Sequence, residues 1–256
     1  MPERIFRVQS ADMDGNGVCH QTMTTGAWML AEDGSFCAGS LGVLADNVLG
    51  NAAVVLTRSG QWPVTTELSL DIGAAPPCNG SSLYAEGFAE HADDKSVLAS
   101  GRILDASGGL VAVGLTRLRY VAVPDEFAVE GAVEEPAPSL ETSTLGVIGA
   151  EVARGNGSVR LEIANAASLS NPMGNVHGGI LLCAAEIAGS EALRSDAGTL
   201  RAASLRIVYL RPAPAGEPTV FTADVVHRGR TFGVAQVVAS DASGRTCAIA
   251  TISHQG

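Results

Sequence analysis

Apolar and polar side chains alternate most cleanly over Ser204-Leu-Arg-Ile-Val-Tyr-Leu210, a period of two that predicts a strand with one buried face. Similar runs follow at 218–227, 232–241 and 245–253, and a matching set stands earlier at 65–72, 82–90, 97–105 and 110–120. Ahead of each set comes a shorter strand-like run, at 21–25 and 159–163, then a polar loop, then a small-residue apolar stretch. Those stretches, 39–56 and 178–194, predict helices of about four turns. One helix followed by a meander of strands is an α+β layer in which the helix covers the inner face of the sheet.

The two sets are copies of one unit. Asp105-Ala-Ser-Gly108 recurs as Asp241-Ala-Ser-Gly244, each between two apolar runs, and Asp-x-x-Gly in that setting is a hairpin signal. His91 and His227 both lie 14 residues before those aspartates. Cys37-Ala-Gly39 is followed nine residues on by Asp46, and His177-Gly-Gly179 nine residues on by Glu186. From acid to hairpin the spacing is 59 residues in the first copy and 55 in the second. Between the copies, residues 123–143 are rich in Pro, Glu, Ala and Ser without periodicity and read as an exposed linker. The chain thus divides into 1–122, a linker and 144–256.

Charge and cysteine usage narrow the function. A net charge of −11 argues against a nucleic-acid partner, where phosphate neutralisation dominates binding. The balance is uneven: 1–121 holds 7 Lys+Arg against 13 Asp+Glu, and 146–256 holds 9 Arg against 8 acids. An anionic small molecule therefore suits the second half better. The five cysteines (Cys19, Cys37, Cys78, Cys183, Cys247) are scattered and never form Cys-x-x-Cys. Reduced thiols in a cytoplasmic protein are expected, with neither a disulfide framework nor a metal site. No stretch is long and apolar enough to cross a membrane.

The candidate chemistry is concentrated in 171–190. Asn171, Pro172, Gly174 and Asn175 form a polar loop into His177-Gly178-Gly179, and Glu186 stands inside the apolar run that follows. The first amides of a helix have no intrahelical partners and carry partial positive charge. A carboxylate inside an apolar helix is costly unless something uses it. Such parts can polarise a carbonyl and activate water.

The pattern Asn171-x-x-Gly174-x-x-His177-Gly178-Gly179, with an acid eight residues past Gly178, resembles the PaaI-type and 4-hydroxybenzoyl-CoA-type acyl-CoA thioesterases of the hotdog fold. Leu44-Ala45-Asp46, with Gly50 and Ala52, is similar to the acid-bearing helix of the same family. The resemblance covers nearly the whole chain as a double hotdog, leaving out the linker and the extreme N-terminus. It implies two sites between the units, each joining one unit's helix start to the other unit's acid. The first combines Asp46 with Asn171, His177, Gly178 and Gly179. The second combines Glu186, and Ser190 one turn later, with the first copy's loop, where Cys37 replaces His, Ala38 replaces Gly and Ala31 falls at the Asn position. The second site is accordingly expected to have lost its polar equipment.

The resemblance further implies hydrolysis of an acyl-CoA. Asp46 would be base or nucleophile, the glycine amides an oxyanion hole, Asn171 an orienting group for water or carbonyl, and His177 a group shaping the loop. Coenzyme A would be part of the substrate, with no other cofactor. Arg206, Arg211, Arg228 and Arg230 are the candidates for its phosphates. Association into a dimer of double hotdogs is expected. Two other readings remain open: a hydratase or dehydratase acting on acyl thioesters, since fold alone does not fix the reaction, and a non-catalytic acyl-CoA-binding protein.

Overall fold

The computed structural model describes residues 1–123, 143–155, 158–194 and 200–256. Most of the expected linker lies outside them. Alternation becomes strands where it was expected, with ends shifted by a few residues and two edge strands, at 12–13 and 150–155, added: β1 (Asp12–Met13), β2 (Cys19–Thr24), β3 (Gln61–Ile72), β4 (Ser82–Ala92), β5 (Ser96–Leu104) and β6 (Leu110–Ala122) in the first unit. The second unit supplies β7 (Ala150–Gly155), β8 (Ser158–Ile163), β9 (Arg201–Tyr209), β10 (Thr219–Arg228), β11 (Phe232–Ser240) and β12 (Thr246–Gln255). All twelve join one antiparallel sheet in the order β1-β2-β4-β5-β6-β3-β9-β12-β11-β10-β8-β7. The two halves meet at β3 and β9, with Leu68 opposite Ile207 and Leu70 opposite Leu205. Pairing these edges removes the exposed hydrogen-bonding rows that each unit alone would present.

Both predicted hairpins form as their sequences require. Asp105 Oδ1 accepts the amides of Ser107 (2.8 Å) and Gly109 (2.9 Å), and Asp241 Oδ1 those of Ser243 (2.9 Å) and Arg245 (3.0 Å). Gly108 and Gly244 take the positive φ that closes each turn, the Asx-turn role of these residue types.

The central helices are α2 (Gly42–Val54), preceded by a 3₁₀ turn at Ala38–Leu41, and α4 (Gly178–Leu193). Residues 179–189 of α4 are all buried, so this helix is enclosed around its whole circumference by its sheet and a second helix, with Glu186 the one acid inside. The two helices touch where each begins. A Cβ on Gly42 would stand 2.5 Å from the Gly179 carbonyl oxygen, and one on Gly179 would stand 2.6 Å from Val43 Cα. Only glycine permits this backbone contact.

The helices are fitted to their sheets in opposite ways. Gly87, Gly101 and Gly114 lie side by side across β4, β5 and β6, and the Leu49 side chain of α2 rests on all three. In the second unit Ala223, Val237 and Ala250 form the corresponding row. There the helix carries Gly189, whose absent Cβ would lie 2.7 Å from Ile252 Cγ1. Bulk on the helix in one unit is bulk on the sheet in the other.

Two four-residue helices extend the duplication to the chain's beginning. Helix α1 (Pro2–Ile5) precedes Arg7 (φ 56°), and α3 (Thr144–Val147) precedes Gly149 (φ 60°). The extreme N-terminus, expected to lie outside the repeat, is therefore part of it. This is the double hotdog that the resemblance implies.

Candidate functional site

Helix α4 opens at His177, whose Nδ1 accepts the Gly179 amide at 3.1 Å. A nitrogen that accepts carries no proton, so the neutral ring has its hydrogen on Nε2, 3.8 Å from Glu3 Oε1. His177 is a helix cap, the loop-shaping role expected for it. The same Gly179 amide also donates to Asp46 Oδ2 at 3.0 Å, bringing the acid of α2 to the start of α4 across the unit boundary. Asp46 Oδ1 accepts the Thr65 hydroxyl at 2.8 Å, so both carboxylate oxygens are held. Gly178 stands against the acid: a Cβ there would meet Asp46 Oδ2 at 2.6 Å. Tyr209 donates to the Gly178 carbonyl at 2.8 Å. Burial, and then the Asp46 charge, push its phenol well above the usual range, so it stays neutral. Glu3 completes the group, accepting from Asn47 Nδ2 at 3.1 Å.

The structure thus unites Asp46, His177, Gly178 and Gly179 as the resemblance implies. Sequence reasoning did not single out Thr65, Tyr209 or Glu3, which reach the site from β3, β9 and α1. Asn171 has a different part. Its Oδ1 accepts the amides of Met173 (3.0 Å) and Asn175 (3.1 Å), closing the loop around Gly174. Its carbonyl oxygen thus serves the loop. The first unit closes the equivalent loop with Asp33, whose Oδ1 accepts the Ser35 amide at 3.0 Å, and so does without an Asn at position 31.

The second site is not stripped of polar groups, contrary to expectation. Glu186 Oε2 accepts the Cys37 thiol at 2.9 Å and faces the Gly39 amide at 3.4 Å, mirroring Asp46 at Gly179. Its Oε1 pairs with the Ser190 hydroxyl at 2.6 Å, which is 2.8 Å from His254 Nε2. The hydroxyl that holds the acid has moved from the sheet to the acid's own helix. Burial raises the Glu186 carboxyl, against the opposing pull of Cys37, Ser190 and the Gly39 amide. The buried Cys37 thiol is raised well above its ordinary value, first by hydrogen bonding to Cys183 and then by desolvation and the Glu186 charge.

His254 makes this network pH-sensitive. Desolvation lowers its pKa from 6.5 to about 4. Its folded value lies below its unfolded one, so the contribution is complete above pH 6.5 and is lost as pH falls towards 4. His254→Gln is expected to suppress on the order of 2 kcal/mol of acid destabilisation over that window. Urea midpoints at pH 7 and pH 4.5 measure it; parallel losses in wild type and variant would refute it.

The four predicted arginines do not gather at either site. Arg206 Nη2 donates to both carboxylate oxygens of Asp71, at 2.9 and 3.1 Å. Arg211 donates to the Thr246 carbonyl at 3.0 Å, and Arg228 to the Ala192 carbonyl at the end of α4. Arg230 is exposed in the turn before β11. Among the described residues no cluster of His, Cys, Asp and Glu could hold a metal ion, and no helix is long and apolar enough to cross a membrane.

Residues 173–248 match the model of the thioesterase superfamily. No curated protein matches the sequence. Among solved structures, the tesB protein of Mycobacterium avium subspecies paratuberculosis is 9% identical with a TM-score of 0.70, covering 96% of this chain and 95% of its own. Acyl-CoA thioesterase II TesB2 of Mycobacterium marinum is 9% identical with a TM-score of 0.67, covering 100% and 97%. An acyl-ACP thioesterase of Bacteroides thetaiotaomicron is 13% identical with a TM-score of 0.62, covering 94% and 98%. At these identities the structures establish the fold. Residues 173–248 are thus similar to the thioesterase superfamily, and the whole chain has the double hotdog fold.

Proposed function

We propose that the protein is an acyl-CoA thioesterase whose chemistry runs at Asp46. The observation that carries this is the Asp46 carboxylate bound at 3.0 Å to the Gly179 amide of the other unit. A thioester carbonyl accepting from the Gly178 amide would have its carbon beside that carboxylate, because a Cβ on Gly178 would already meet Asp46 Oδ2 at 2.6 Å. Asp46 takes a proton from water, the hydroxide attacks, and the oxyanion forms against the Gly178 amide, fixed at the start of the helix. The C–S bond then breaks and the thiolate departs, taking up a proton. Capping by His177 Nδ1 supports hydrolysis over hydration, because the nitrogen a proton-shuttling base would use is already engaged. Release of thiol from a panel of acyl-CoAs tests the reading: bound acyl-CoA that stays intact, or a changed acyl chain without free thiol, refutes it.

Coenzyme A as the carrier is supported by a groove of about 460 Å³ lined by Thr66, Lys95, Arg117, Arg119 and Tyr120, together with one acid, Asp94. Thr66 follows Thr65, whose hydroxyl holds Asp46. Among the described residues no carboxylate pairs with Lys95, Arg117 or Arg119, whereas Arg102, Arg154, Arg160, Arg194, Arg206 and Arg245 all have acid partners. Unpaired cations in so acidic a chain suit the phosphates of a nucleotide. Combining Lys95→Glu, Arg117→Glu and Arg119→Glu is expected to raise KM for acyl-CoA at least about tenfold with kcat unchanged. The corresponding N-acetylcysteamine thioester, which lacks the nucleotide, should be hydrolysed as by wild type. Equal loss on both substrates would remove the groove from the reading.

A further inference from the structure

Equivalent positions around the two inter-unit sites carry opposite chemistry. Glu3, His177 and Asn47 surround the Asp46 site. Their counterparts in the repeat are Leu145, Cys37 and Ile187, and these three line a cavity of about 300 Å³ beside Glu186. Ala31 and Val152 extend its apolar wall, Thr144 and Glu32 add polar lining, and Arg154 and Glu191 form an ion pair. Mostly apolar cavities of about this size with a few convergent polar groups are the usual form of small-molecule sites. The Cys37 thiol is turned to Glu186 and the Glu186 carboxylate to Cys37 and Ser190, so their polar atoms are satisfied within the protein. Arg154 is different. Its side chain is 60% exposed, and a guanidinium has five donors, more than Glu191 can use.

We propose that this cavity is a second binding site, separate from the hydrolytic one, for a medium-length fatty acid whose chain lies among Leu145, Val152 and Ile187 and whose carboxylate meets Arg154. The proposal rests on the thioesterase reading only in that such an acid would be a hydrolysis product. Binding itself needs no turnover. The site thereby gives the protein a means of sensing the class of molecule it releases.

Calorimetric titration of the full chain with decanoate is expected to show one site in wild type and the same site in Asp46→Asn. Ile187→Trp fills the cavity and should weaken binding at least about tenfold, a loss of roughly 1.4 kcal/mol. Thiol release from a short acyl-CoA should be unchanged. Leu145→Trp, on a partly exposed helix, should do the same and serves if Ile187→Trp does not fold. Arg154→Ala should weaken decanoate several-fold. Absence of saturable binding overturns the proposal, as does equal affinity in both Trp variants or loss of the site in Asp46→Asn. An enzyme that binds decanoate in this way but releases no thiol would fail the hydrolase reading alone.

Discussion

Asp46→Asn is expected to reduce thiol release from acyl-CoA by about 10²- to 10⁴-fold, the usual contribution of a positioned general base, with little change in KM. The substitution keeps the shape of the side chain. An Asn carbonyl oxygen can still accept from the Gly179 amide or the Thr65 hydroxyl, which now bond at 3.0 and 2.8 Å, so the melting temperature should move by only a few degrees. Glu186→Gln is the informative comparison, because Glu186 faces the helix start of the first unit in the mirrored arrangement. Full activity in Glu186→Gln, with loss in Asp46→Asn, assigns the chemistry to the Asp46 site. The reverse pattern would transfer it to the site with Cys37 and Ser190. Undiminished release from Asp46→Asn would exclude the carboxylate from the reaction.

Gly42→Ala should be the most damaging of the small substitutions outside the reacting groups. Its new methyl would press on the Gly179 carbonyl oxygen at 2.5 Å, and backbone cannot rotate away as a side chain can. Overpacking typically costs about 1–3 kcal/mol and sometimes more; for a chain of this size each kcal/mol lowers Tm by roughly 2–4 °C. Relief by separating the helix starts would move Gly179 away from Asp46, so activity should fall together with stability. Gly50→Ala, on the same helix with open space around it, should be neutral or stabilising by up to about 1 kcal/mol. Equal melting temperatures for the two variants would refute the close-contact account.

The duplication could be read from the chain because the features that repeat are those the backbone demands. A turn closed by an Asp oxygen and a positive-φ glycine tolerates few substitutes, so Asp105 and Asp241 stayed alike. Asp46 and Gly178-Gly179 were readable for a similar reason: an acid in an apolar helix and paired glycines at a helix start both need explaining. What escaped were residues whose role depends on distant partners. Thr65 reads as an ordinary strand residue, and His254 as one more side chain near the C-terminus; only pairing of β3 with β9, and of β12 with β9, places them. Helix α1 repeats α3 in shape although Pro2-Glu-Arg-Ile and Thr144-Leu-Gly-Val share no residue. In the sequence, Cys37 stands where the pattern has a histidine. A thiol can still donate, and with Glu186 149 residues away, spacing gave no hint of the bond.

The reciprocal fit of helix to sheet bears on how the chain avoids folding into itself wrongly. Tandem repeats risk assembling one copy's helix with the other copy's strands. Here such an exchange is penalised twice. Helix α2 laid on the second sheet would drive Leu49 into the space beside Ile252 that is open only because residue 189 is glycine. Helix α4 laid on the first would leave Gly189 above the glycine row, with a void where a leucine belongs. The duplicated halves have thus become mutually exclusive templates, each recognising its own helix by shape during folding, although both still build the same fold.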